Sequence, residues 1–142
     1  MILQLVAAIL GTMAFALLFS VPKEHYLICG CIGCIGWAIY LLCTEVLPMT
    51  PAEAEFLAAA TVMLCSRGAA AWKKCPVAVF YICGLFPLIP GGAFYRCIYS
   101  MVLGDAQAAG SAGVLTAKLI FALVIGVVLA RDLPFGRKKA RS

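Results

Sequence analysis

The chain has 142 residues, 65% of them hydrophobic and only 12% charged, with a formal net charge of +5. A soluble domain of this size has too much surface to hide that much apolar side chain from water. With a mean hydropathy of +1.07, the composition excludes an ordinary soluble globular protein and makes a lipid bilayer the natural solvent.

Five apolar segments come close to the roughly 20 residues that a spanning helix needs. The first, Met1 to Val21, has no charged residue and ends at Val21-Pro22-Lys23-Glu24-His25. It lacks the basic n-region of a signal peptide and is long enough to cross, so it reads as a retained helix. The second, Tyr26 to Cys43, is also uncharged. Within it Gly30, Gly33 and Gly36 recur every three residues. Small residues let helix backbones approach closely in lipid, which predicts a buried packing helix. Trp37 and Tyr40 follow towards the outer interface. The third segment, Ala52 to Trp72, opens with Thr50, Pro51 and Glu53, an N-cap, a proline at the first helical position and an acidic first turn. Glu55 belongs to the same acidic start, and Arg67 stands near the other end, placed to snorkel there beside Lys73 and Lys74.

The fourth segment, Pro76 to Leu103, is the most specific. As a straight helix it would run about 42 Å, more than a bilayer core needs. Pro87, Pro90, Gly91 and Gly92 sit near its middle. Each proline removes a backbone donor and frees a carbonyl. Broken helices at membrane depth are tolerated where they line a cavity or lie in protein, and in transporters they often hold the substrate. A half-helix starting near Gly91 would offer free N–H groups to an anion. Arg96 lies about one turn beyond, and a basic residue inside a span costs about 2.5–3.5 kcal/mol on insertion scales. The alternative is a proline kink that only packs. The fifth segment, Ala112 to Ala130, carries Lys118, which either serves a site or snorkels to the outer surface.

No segment alternates as a barrel strand would, so the predicted fold is an all-α integral membrane domain. It fills residues 1–142, with spans at about 1–21, 26–43, 52–72, 76–103 and 112–130 and a basic tail at 131–142. No soluble domain is expected outside the spans. Lys23, Lys73 and Lys74 lie in the first and third gaps; Arg131, Arg137, Lys138, Lys139 and Arg141 lie in the tail. The second and fourth gaps carry Glu45 and Asp105 instead. With five spans the basic gaps and the tail share one side, which the positive-inside rule makes cytoplasmic, leaving the N-terminus outside. The tail suits anionic lipid rather than nucleic acid.

Eight cysteines invite a metal or redox reading. On a helix, however, Cys31 points about 200° away from Cys29, so Cys29, Cys31 and Cys34 do not converge. They read as small apolar packing residues, and no metal or cofactor is expected. Cys43, Cys65, Cys75, Cys83 and Cys97 show no ligand spacing. One histidine and no paired carboxylates within a span leave little for acid–base catalysis, and no phosphate-binding loop is present for ATP hydrolysis.

The order of these features resembles the small membrane subunit of the two-component threonine/serine exporter family, equivalent to the C-terminal membrane half of the fused exporters. A related pair is associated with succinate export. Phe19-Ser20-Val21-Pro22 is similar to the family's ending of the first span, and Gly33-Cys34-Ile35-Gly36-Trp37 to its Gly-x-x-Gly segment. Pro87-Leu88-Ile89-Pro90-Gly91-Gly92-Ala93-Phe94-Tyr95 resembles its Pro-Gly motif with a following tyrosine. The cysteine richness and Lys118 depart from the family pattern. The resemblance implies a multi-pass protein of the cell membrane and a larger partner subunit with its own membrane half. It implies export of small carboxylate substrates, either threonine and serine or a dicarboxylate such as succinate. Candidate substrate-binding residues are Pro90, Gly91, Gly92, Tyr95, Arg96 and Lys118. The competing reading is a scaffold subunit that stabilises a partner without transporting.

Overall fold

The computed structural model describes residues 2–134. Met1 and the tail residues Arg137, Lys138, Lys139 and Arg141 lie outside them. The described residues are all-helical, in six α-helices: α1 (Ile2–Leu18), α2 (Tyr26–Leu41), α3 (Pro51–Lys73), α4 (Ala78–Leu85), α5 (Gly91–Val102) and α6 (Ala106–Asp132). Three stretches are long and apolar enough to cross a membrane: Lys23–Val46, Pro51–Lys73 and Ala106–Asp132. The first of these is α2 lengthened by a short 3₁₀ turn before it and a π-helical turn after it. The fourth candidate is the pair Ala78–Leu88 and Gly91–Val102, bent by 49° at the break. Helix α1 is apolar but has only 17 residues.

Local chemistry explains where helices start and stop. Thr50 and Glu53 form a capping box at the head of α3, with the Thr50 N–H donating to Glu53 Oε2 at 2.8 Å and the Glu53 N–H donating to Thr50 Oγ1 at 3.4 Å. Pro51 occupies the first helical position, where its missing N–H loses nothing. Asp105 accepts from the Ala108 amide at 2.9 Å and caps α6. Helices α1, α3 and α5 each end on a residue in the left-handed region, Ser20, Lys74 and Gly104. The next amide in each case reaches back five residues: Val21 to Ala16, Cys75 to Ala70 and Asp105 to Ser100.

Helix α6 begins earlier than the sequence pattern suggests. Residues 106–111 are small and polar enough to read as a connection, yet they are helical. Alanines are strong helix formers, and the Asp105 cap supplies the nucleus. Similarly, helical structure continues past Cys43 to Val46 rather than stopping at the predicted boundary.

Helix α2 is the centre of the bundle, packed on α1, α3 and α4. Helix α6 packs on α3 and carries α5 on its other flank. Glycines set the close contacts. A Cβ at Gly30 would press on Met13, one at Gly33 would overlap Thr12, and one at Gly36 would overlap Val62. At Gly126 it would run into the Phe56 carbonyl of α3. The core formed around these contacts contains Cys29, Ile32, Ala58, Ala59, Val62, Phe80, Cys83 and Leu88. Large apolar side chains on α1, α5 and α6 remain outside, among them Leu10, Phe94, Ile98, Phe121 and Val128. Uncovered apolar surface on that scale is what lipid-facing helices present. Arg67 ties the far ends of α3 and α6 together, its Nη1 donating to the Ala130 carbonyl at 2.6 Å.

Candidate functional site

The chain leaves α4 through a 3₁₀ turn at Phe86–Leu88, then extends at Ile89. Pro90 (φ −75°, ψ 55°) makes an inverse γ-turn, closed by the Gly91 N–H donating to the Ile89 carbonyl at 2.7 Å. Helix α5 therefore starts with no side-chain cap. The Phe94 amide takes the Pro90 carbonyl at 3.1 Å, while the amides of Gly92 and Ala93 have no earlier helical carbonyl to reach. These two donors sit at the positive end of the α5 dipole.

Gly91 and Gly92 do not have positive φ, and a Cβ at either would meet nothing within 4 Å. Conformational freedom is thus not their use here. Bare glycines leave the helix end open to close approach.

That end faces a cavity of about 350 Å³. Its wall includes Pro87, Pro90, Gly91, Gly92, Ala93 and Arg96 from the break, Trp37 and Tyr40 from α2, Pro51 and Glu55 from α3, and Leu115 and Leu119 from α6. Apolar walls with a few convergent polar groups are the usual make-up of a small-molecule site. Two of the polar groups are unsatisfied: Trp37 Nε1 and Glu55 Oε1 are buried without a hydrogen-bond partner. Glu55 is only 3% exposed. It forms no ion pair with Arg96, whose side chain is exposed. Arg96 also borders a neighbouring groove of about 410 Å³ between α5 and α6, which includes Tyr99, Ser100 and Ser111. Trp37 and Pro87 separate the main cavity from a more apolar one of about 290 Å³ against α1.

Residues 4–132 match the family model described as Threonine/Serine exporter, ThrE. The chain belongs to the threonine/serine exporter family. No curated protein and no solved structure matches it. The family is one of multi-pass membrane transporters, not of enzymes.

In this exporter-family chain, four of the sequence-predicted site residues come together: Pro90, Gly91, Gly92 and Arg96. Tyr95 lies off the cavity, exposed and stacked on Tyr99 with ring centroids 6.0 Å apart. Lys118 is exposed on α6, and that helix contributes Leu115 and Leu119 to the wall instead.

Glu55 is the residue that sequence reasoning passed over as part of an acidic helix start. A signal was there. Counting from the Thr50 cap, Glu55 shares its face with Ala58, Ala59 and Val62, at i+3, i+4 and i+7, and all four are buried. Glu53 is spent on the cap. Trp37 follows directly on Gly36, where an added Cβ would overlap Val62 and meet Leu88, and it lines the cavity beside the break. Among the described residues, no group of three or more His, Cys, Asp or Glu could hold a metal ion. Cys29 is buried, Cys31 exposed and Cys34 intermediate, as different faces of one helix require.

Proposed function

We propose that the chain is a membrane subunit of a secondary carrier that exports small carboxylate-bearing metabolites by alternating access, with the substrate carboxylate held at the α4–α5 break. The observation that carries this is the cavity itself. Two unused amides at an uncapped helix N-terminus and a guanidinium stand on the wall of one pocket of small-metabolite size. An arginine forks onto a carboxylate with two parallel N–H donors, which a lysine cannot do. Pro90, Gly91 and Gly92 shape the approach and Arg96 supplies the charge. Tyr95 and Lys118 have no part in first contact on this reading.

The carrier is built with a larger partner subunit that has its own membrane half. Helix α5 has no buried residue, although it holds the main site elements. A site half made by an uncovered helix suits a carrier whose substrate path runs between two halves, as in inverted-repeat transporters. With five crossings, α1 and the bent α4–α5 pair each counted as one, the positive-inside rule puts the N-terminus outside and the C-terminus in the cytoplasm.

The deciding experiment is export of labelled threonine, serine and succinate from cells carrying Arg96→Ala, with membrane abundance checked by immunoblot. Export of the carried substrate falls by about tenfold or more, since a charge-assisted hydrogen bond is worth about 1.5–3 kcal/mol. Arg96→Lys keeps part of it. Normal export by an abundant Arg96→Ala protein, alongside failure of Gly33 or Gly36 variants, would establish the scaffold reading instead.

A further inference from the structure

The wall of the cavity carries both signs of charge, and its negative member has nothing to pair with. Glu55 Oε1 is buried and without a hydrogen-bond partner. A lone carboxylate in such a place is costly and persists where something complements it. Arg96 does not close on it. The α5 amides and Arg96 form a positive pole, and Glu55 on α3 forms a negative one on the same wall. The unpartnered Trp37 Nε1–H is a spare donor on that wall.

We propose that Glu55 receives the ammonium group of an α-amino acid whose carboxylate sits at the α5 amides, so that Glu55 makes this site select zwitterions against dicarboxylates. The inference rests on the reading of the break as the carboxylate site. A zwitterion satisfies both poles at once and leaves the cavity with no unpaired charge. A dicarboxylate would satisfy the amides and Arg96 and then set its second carboxylate towards Glu55, where like charges repel in a low-dielectric wall. Removing only the amino group from the ligand would strand Glu55 again. Sites that hydrogen-bond a ligand group reject analogues lacking it far more strongly than sites that merely surround it.

The test uses the full chain, purified in mild detergent with any subunit that co-elutes and reconstituted into liposomes loaded with unlabelled threonine. Counterflow of labelled threonine is competed with threonine, 3-hydroxybutyrate (threonine without its amino group) and succinate. In the wild type, 3-hydroxybutyrate and succinate compete about tenfold or more weaker than threonine. Glu55→Gln, which keeps the shape and removes the charge, weakens threonine by a similar factor and leaves 3-hydroxybutyrate unchanged, so the discrimination collapses. Glu55→Asp keeps the preference for threonine over 3-hydroxybutyrate in direction. Equal competition by all three ligands in the wild type overturns the inference without any variant. So does a Glu55→Gln protein that loses threonine and 3-hydroxybutyrate alike, which would mark a structural carboxylate, or one that loses neither. Failure of the underlying carboxylate site looks different: Arg96→Ala then leaves all three ligands untouched, or the wild type carries none of them.

Discussion

Gly110 and Gly126 lie on the same helix, α6, yet a methyl group at each has opposite consequences. Nothing lies within 4 Å of a Cβ at Gly110. Gly110→Ala therefore gains only helix propensity, about 0.8–1 kcal/mol. At Gly126 the Cβ would stand 2.5 Å from the Phe56 carbonyl and 3.3 Å from the Ala60 amide nitrogen. Those are backbone atoms, so α3 and α6 must separate, and overpacking of this kind costs about 1–3 kcal/mol. Melting of the two variants in detergent checks both signs: Gly110→Ala rises above wild type and Gly126→Ala falls below it. A chain of letters shows both as glycines in an apolar helix and cannot rank them. The Gly30-Gly33-Gly36 repeat was legible because its three-residue period marks one face. Gly126 has no such companion, and its importance depends on which helix happens to face it.

At the scale of elements, whatever is decided within a few residues of chain could be read in advance. The head of α3 is an example: Thr50, Pro51 and Glu53 act on one another. The break was legible for the same reason, since Pro87 and Pro90 interrupt hydrogen bonding wherever they stand. The partners of the break were not legible. Glu55, Trp37 and Leu119 reach it from three different helices, and nothing in their spacing along the chain shows that meeting. The glycines at the head of α5 supply open space rather than unusual backbone angles. Gly92→Leu is consequently accepted by the backbone, with melting unchanged or raised, because glycine is a poor helix former. The same side chain fills the approach to the free amides and lowers export by about tenfold or more, a barrier of about 1.4 kcal/mol or above. Measuring melting and export on one preparation separates the two effects. Loss of both together would mean that the glycine serves the fold, and loss of neither that the α5 end does not meet substrate.

For the whole molecule, the number of crossings turns on α1. Helix α1, at 17 residues, is about 26 Å long, somewhat less than a hydrocarbon core of about 30 Å. A short span is accommodated by thinning the bilayer or adjusting its flanks, at fractions of a kcal/mol per Å. Placing its apolar face in water instead would expose Ile2, Leu3, Val6, Leu10 and Leu17, at about 25 cal/mol per Å². Crossing is cheaper than leaving those side chains in water. With α1 across, the positive-inside rule puts Lys23 and Lys73 on the cytoplasmic side and Glu45 and Gln107 on the outer side with Ile2. The cavity, walled by Tyr40 at the end of α2 and by Pro51 and Glu55 at the start of α3, then lies nearer the outer face. An impermeant maleimide tests the arrangement in a version with the eight native cysteines replaced. Single cysteines at positions 2, 45 and 107 react on intact cells, and those at 23 and 73 react only after permeabilisation. A cysteine at position 2 that stays silent until permeabilisation, with the other four unchanged, would put α1 on the cytoplasmic surface and reduce the chain to four crossings. The cavity would keep its place towards the outer face in that event, because Tyr40, Pro51 and Glu55 flank the gap that contains Glu45, not the one that contains Lys23.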